Sequence, residues 1–187
     1  MIPEYECPKC GEKFTDEQYK ESRFCSECGT LLRKCRPPRY WIFQFNPRKY
    51  RWFDWIKENE GKTEQWLTSQ HSKEIHKGDK VVVWASGPKA GVYAIGEILT
   101  NPKRKPLNQE QKKYWNIKTD VFKFLSNKSV IVKYSKIITD NPLLKGECEQ
   151  DPILSGMPVL KGIQATNIPI GKRYWDRILE LLHGRVL

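Results

Sequence analysis

The residues with the sharpest chemical signature lie near the start of the chain. Cys7-Pro8-Lys9-Cys10-Gly11 and Cys25-Ser26-Glu27-Cys28-Gly29 are two CxxCG turns, with 14 residues between Cys10 and Cys25. A CxxC turn directs two thiolates at one point, and the following glycine permits the turn that aims backbone amides at the sulfurs. Two such turns complete the tetrahedral ligand set of a structural zinc site. Redox CxxC pairs and disulfides are the competing readings. A cytosolic chain has little use for disulfides, and no thioredoxin-like βαβ pattern surrounds either pair. Four thiolates leave no open position for substrate, so zinc at Cys7, Cys10, Cys25 and Cys28 is expected to hold a segment too small for its own core, and not to do chemistry. Cys35 and Cys148 stand alone, and His71, His76 and His183 lack ligand spacing with any cysteine.

A second constellation points to catalysis more weakly. Glu60-Gly61-Lys62 and Glu110-Gln111-Lys112 carry the acidic-x-Lys spacing of metal-dependent nucleases. Neither follows a convincing strand or an upstream Pro-Asp pair, so the chain is read as a binding protein and not an enzyme. The alternative of a nuclease would show itself as divalent-metal-dependent cleavage.

Charge says what such a protein binds. Residues 1 to 35 hold six Lys/Arg against seven Asp/Glu, which leaves 27 against 15 in residues 36 to 187. The long segment therefore carries +12 of a net charge of +11, and the short one −1. That excess favours phosphate backbones through counterion release. With 39% hydrophobic and 12% aromatic residues, the chain is too apolar for a disordered protein and too polar for a membrane one. No window approaches the roughly 18 apolar residues of a membrane span. Met1 to Glu6 has neither the basic start nor the apolar stretch of a signal peptide, so the expected location is the cytoplasm.

These residues need elements to hold them. Arg33-Lys34-Cys35-Arg36-Pro37-Pro38-Arg39 joins charge to a proline pair that continues neither helix nor strand, so a zinc ribbon over 1–35 gives way to a second domain over 36–187. In that domain Tyr40 to Phe45 is a β-prone run stopped by Asn46-Pro47, and Arg51 to Glu60 places Trp52, Trp55 and Ile56 on one helical stripe. Lys80 to Ala85 and Val92 to Ile98 read as strands joined by the glycine-bearing loop Ser86 to Gly91, and Ser129 to Ile138 as a further strand. Tyr174 to Leu182 has the apolar spacing of a closing amphipathic helix. Few strands, non-local pairing and flanking helices imply an α+β fold with a small curved sheet or partial barrel.

An ordered series of segments carries a family resemblance. Tyr40-Trp41-Ile42-Phe43-Gln44-Phe45-Asn46-Pro47, then Trp66, Ile75 to Gly87, Gly91 to Ile98, Asn101-Pro102, Asp151 to Leu154 and Gly162 to Asn167 closely resemble an EVE domain over roughly residues 39–184. The series departs from the family at Ala165, which precedes Thr166 where the pattern has glycine.

The resemblance implies a PUA-like pseudobarrel related to YTH domains, which bind a modified base flipped out of a nucleic-acid strand. Similar domains precede the GTPase motor of McrB-type modification-dependent restriction proteins. The implied function is a non-catalytic reader of methylated DNA, partnered by the GTPase motor and nuclease subunit of such a system. An RNA-binding PUA-like module is the alternative. A flipped base needs aromatic faces, polar groups for its edge and cations for the displaced backbone. On this resemblance Trp66 and Tyr134 are the expected cage walls; from residue type and position alone Trp84 and Trp41 are further candidates, which as strand aromatics a core would also claim, and Asn46, at the end of the first strand, is a candidate reader of the base edge. Arg48, Lys49, Arg51, Lys89, Lys103, Arg104 and Lys105 are the expected backbone contacts.

Overall fold

A proline pair marks the division of the chain: residues up to Pro37 pack as one unit and those from Pro38 as a second. The structure is a computed structural model and describes residues 4–59, 61, 63–116, 118–163 and 165–185.

The first unit has three two-residue strands, β1 (Tyr5–Glu6), β2 (Lys13–Phe14) and β3 (Arg33–Lys34), in the antiparallel order β2-β1-β3. Helix α1 (Asp16–Glu21) starts at Thr15, whose hydroxyl accepts from the Gln18 amide while the Gln18 side chain accepts from the Thr15 amide. This reciprocal cap satisfies two of the free N–H groups at the helix start. The core consists of Cys7, Phe14, Cys25 and Leu32, with Tyr5 stacked on Tyr19 beside it. So small a core needs a staple.

The second unit runs β4 (Tyr40–Phe45), α2 (Trp52–Glu58), β5 (Glu64–Leu67), β6 (Lys80–Ala85), β7 (Gly91–Ile98), α3 (Gln109–Lys112), α4 (Lys118–Ser126), β8 (Ser129–Ile137), β9 (Leu143–Leu144), α5 (Lys145–Gln150), β10 (Asn167–Ile170) and α6 (Lys172–His183). The strands form one sheet in the order β10-β4-β6-β7-β8-β5, with β9 on β7. Only the β4–β6 pair is parallel among the described strands.

Side-chain alternation divides this sheet between two cores. Trp41, Phe43 and Phe45 of β4 and Val81 and Val83 of β6 face one cluster with Trp52, Trp55 and Trp66. Ile42, Val82 and Trp84 face the other, which Trp175, Ile178 and Leu182 of α6 cover. Bulges at Val83/Trp84 and Ile95/Gly96 bend the strands. At Gly96 a Cβ would stand 2.4 Å from the Lys133 carbonyl oxygen, so only glycine fits there. The curl brings the two ends of the sheet together: Asn167, first in β10, donates from its side chain to the carbonyl of Leu67, last in β5, at 3.0 Å. The result is an α+β half-barrel with flanking helices. No helix among the described residues is long and apolar enough to cross a membrane.

The expected strands at 40–45, 80–85, 92–98 and 129–138 and the closing helix match elements of the structure to within two residues at either end. Trp66 lies inside a further strand, β5, which no apolar alternation in the sequence predicts.

Candidate nucleic-acid interface

The four cysteines of the CxxCG turns converge. Their sulfurs all lie within 4.8 Å of one another, with Cys7 to Cys28 at 3.4 Å and Cys10 to Cys25 at 3.5 Å. The Cys10 amide points at the Cys7 sulfur at 3.5 Å, and Gly11 and Gly29 take the left-handed conformation that each turn requires (φ 81° and 66°). Four convergent thiolates with an amide aimed at one of them make a site able to hold a soft tetrahedral metal ion.

The second unit contains a cavity of about 740 Å³ at the β5 side of the first core. The end of β4 contributes Phe45 and Asn46, the turn after it Lys49 and Tyr50, and β5 contributes Glu64, Gln65, Trp66 and Leu67. Gln111 of α3, Trp115, and Asp120, Lys123 and Phe124 of α4 close the facing wall. The volume lies within the range typical of small-molecule pockets. Trp115 stacks on Tyr50 with ring centroids 4.7 Å apart and meets Phe124 edge-on, so the aromatic walls hold one another in place.

The polar wall is organised around Glu64, which is 1% exposed. Its carboxylate accepts from Tyr50 at 2.5 Å, from the Trp52 indole at 3.0 Å and from the Gln111 amide at 3.2 Å, and the Tyr134 hydroxyl also donates to it. Burial pushes the Glu64 carboxyl up from 4.5 to about 7, against the opposing pull of these donors. Burial, and then the adjacent Glu64 charge, raise the Tyr134 and Tyr50 hydroxyls well above the ordinary tyrosine value. Gln65 is equally committed: its side-chain N–H groups donate to Ser129 Oγ at 2.9 Å and to the Lys105 carbonyl at 3.1 Å.

The structure separates the expected pocket residues. Trp66 lines the cavity, and its indole N–H donates to the Tyr134 hydroxyl at 2.8 Å. Tyr134 itself stands behind Trp66 in the hydrogen-bond network and is not part of the lining. Trp41 and Trp84 move out of the pocket and into the cores. Trp41 is fully buried with its N–H on Asp79 at 2.9 Å, and Trp84 packs on the opposite face of the sheet. Both strands are covered on both faces, so every aromatic on them has a core to enter. Asn46 lines the cavity, with its side-chain Oδ1 accepting the Arg48 amide at 2.9 Å.

The expected cations divide likewise. Lys49 lines the cavity, and exposed Arg48 lies beside it in the chain. Arg51 is spent locally, on Asp54 at 3.1 Å and on the Lys113 carbonyl at 2.7 Å. Lys89 lies on a different concavity, of about 780 Å³, with Phe53, Tyr93 and Lys145. Lys103, Arg104 and Lys105 are exposed on a segment pinned to Ser129 by paired backbone hydrogen bonds of 3.0 and 2.8 Å.

Sequence reasoning missed Tyr50, Trp115, Gln111, Asp120 and Phe124. A tyrosine and a tryptophan in Tyr50-Arg51-Trp52 and Tyr114-Trp115 were the available signal, but their stacking across 65 residues is a property of the fold. Of the acidic-x-Lys pairs, Glu60 and Lys62 lie outside the described residues. Glu110-Gln111-Lys112 falls on helix α3, where Gln111 serves the polar wall.

Solved structures share this architecture. A hypothetical protein from Leishmania major is 19% identical with a TM-score of 0.59, over 80% of this chain and 97% of that one. The DUF55 domain of human thymocyte nuclear protein 1 is 14% identical with a TM-score of 0.55, over 77% and 98%. Human THYN1 protein, solved in complex with 5-methylcytosine containing DNA, is 11% identical with a TM-score of 0.55, over 77% and 97%. No curated protein sequence gives a significant match. The EVE domain model matches residues 39–181, the greater part of the sequence, and the chain belongs to the EVE domain family.

Proposed function

We propose that the chain is a non-catalytic reader of methylated DNA, which takes an extruded base into the cavity between Trp66 and the Trp115–Tyr50 stack. The cavity itself carries this reading: about 740 Å³, lined by the aromatic rings of Trp66, Tyr50, Trp115 and Phe124 and by polar groups, with Lys49 and Lys123 among them. The complex of human THYN1 protein with 5-methylcytosine containing DNA supports it from the same fold. Stacking a base on an aromatic side chain contributes about 1 to 3 kcal/mol, comparable to the few kcal/mol lost in unstacking it, so backbone cations must supply the remaining affinity. Arg48 and Lys49 at the cavity and Lys103, Arg104 and Lys105 elsewhere on the unit are assigned that work; Lys89 and Arg51 are placed outside it. Zinc is assigned to the four-cysteine cluster as a structural ion. The chain is further assigned to the specificity part of a McrB-type restriction system in the cytoplasm, a role that co-purification with a GTPase motor would support.

The test is a binding panel of duplexes that differ at one base: unmodified, cytosine-methylated or adenine-methylated. A pocket sized for the methyl group favours a methylated base by about 1 to 3 kcal/mol, the discrimination one methylene allows. Trp66→Ala and Trp115→Ala remove that preference, and affinity for every duplex falls steeply with salt. Equal affinity across the panel overturns the reading, and tighter binding of matched RNA reassigns the pocket to that polymer.

A further inference from the structure

The polar wall of the cavity is satisfied group by group until α4. Glu64, Gln65 and Gln111 all have their partners. Asp120 is different. It is 5% exposed, and its Oδ1 meets Lys123 Nζ at 2.5 Å. Its other oxygen, Oδ2, is buried and has no hydrogen-bond partner, with Lys49 Nζ 3.9 Å away. On the same wall the buried indole N–H of Trp115 also has no acceptor. A folded chain rarely keeps a buried acceptor and a buried donor unpaired in one cavity, because each has given up water without replacement. Five buried side-chain atoms lack a partner among the described residues, and of these Asp120 Oδ2 and Trp115 Nε1 belong to residues that line the cavity, where a ligand can complete them.

The chemistry of methylated DNA says what they would complete. An aromatic slot that recognises a methyl group cannot by that means separate 5-methylcytosine from thymine, because both carry the same methyl at C5. They differ on the edge: cytosine has an amine at C4 beside an unprotonated ring nitrogen, whereas thymine has a carbonyl beside an N–H. Thymine is abundant in any DNA, so a reader of the methyl group alone would be swamped. A carboxylate oxygen accepts from the amine and repels the carbonyl, and an indole N–H donates to the unprotonated ring nitrogen.

Building on the function proposed above, we infer that Asp120 is a specificity-determining residue. Its Oδ2 accepts a hydrogen bond from the exocyclic amine of the extruded base, Trp115 Nε1 supplies the complementary donor, and the pocket takes amino-bearing bases and rejects thymine. Ion pairs with Lys123 and Lys49 hold the carboxylate in place while the pocket is open.

Four duplexes separate this inference from the reading beneath it. Cytosine, 5-methylcytosine, uracil or thymine is placed at one position opposite an abasic site, so that no base pair biases extrusion. The comparisons of cytosine with 5-methylcytosine and of uracil with thymine measure the methyl group; those of cytosine with uracil and of 5-methylcytosine with thymine measure the amine. The wild-type chain is expected to favour the amine-bearing member by about tenfold, within the range for a well-made base-edge contact. Asp120→Asn, whose amide can turn either way, is expected to bring that ratio below about threefold, while the ratio between methylated and unmethylated partners stays as in the wild type. Trp115→Phe keeps the stacked ring and removes only the N–H, so it tests the same edge even where the Asp120 variant fails to fold. An amine ratio near one in the wild type, or a full ratio retained in folded Asp120→Asn and in Trp115→Phe, overturns the inference. An amine preference that depends on Asp120 without any methyl preference upholds it and overturns the methyl reading instead.

Discussion

The indole N–H of Trp66 donates to the hydroxyl of Tyr134 at 2.8 Å, across the paired strands β5 and β8. The same hydroxyl accepts from the Trp52 indole at 3.2 Å and donates to Glu64. Tyr134 therefore fixes the wall of the cavity without being a wall. Tyr134→Phe preserves the ring and leaves the Trp66 N–H short of its acceptor, which costs about 1 to 3 kcal/mol for a buried group. The expected outcome is a lower urea midpoint with an unchanged slope, and a loss of affinity smaller than that of Trp66→Ala. A variant as stable as the wild type would show that Trp66 is held by packing alone.

Glu64 makes stability depend on pH in a definite direction. In the unfolded chain its carboxyl ionises near 4.5, and in the folded protein near 7. Between those values the folded protein holds a proton that the unfolded chain has released. The contribution of this group is therefore full below about pH 4.5 and is lost as pH rises through about 7, to a total of about 3 kcal/mol. Glu64→Gln removes the titration. Urea unfolding at about pH 5 and at about pH 8 should show the wild type losing stability relative to the variant between the two. Parallel profiles would mean that the carboxylate stays charged throughout, held by its ring of donors.

The same network explains which parts of the fold were legible. β4, β6, β7 and β8 are apolar and β-branched, and α6 has one apolar stripe, so pattern alone finds them. β5 is Glu64-Gln65-Trp66-Leu67, buried at every position, and its polar residues tolerate burial only because Tyr50, Gln111 and Ser129 reach them from distant parts of the chain. No local pattern announces such a strand. β10 contains Pro169, which an edge strand accepts, since among the described strands β10 pairs with β4 alone. α4 turns Asp120 and Phe124 inward while leaving Phe122 and Leu125 exposed, so it shows no clean amphipathic stripe. The site was legible at its β4 end and at Trp66. Its facing wall was not, because Trp115 and Asp120 acquire their meaning only when the fold brings them to Tyr50 and Lys49.

Metal removal tests the first unit separately from the second. The unit that ends at Pro37 has a core of four buried residues, two of which are the cysteines Cys7 and Cys25. With zinc as the assigned ion, each purified chain should contain one equivalent, and binding energy at the thiolates is then folding energy for this unit. A chelator, or Cys10→Ser, should abolish the ordered amide signals of residues 4–37. The second unit has hydrophobic cores of its own and uses none of the four cysteines, so it should persist. All seven tryptophans lie at or beyond Trp41, which makes their fluorescence a reporter of the second unit alone. The expected result is a lost ribbon with unchanged tryptophan emission and unchanged preference for methylated duplexes. A chelated protein that keeps its first-unit signals would show that Phe14, Leu32 and the Tyr5–Tyr19 stack suffice. Purified, unchelated protein without stoichiometric zinc would remove the ion from the description altogether.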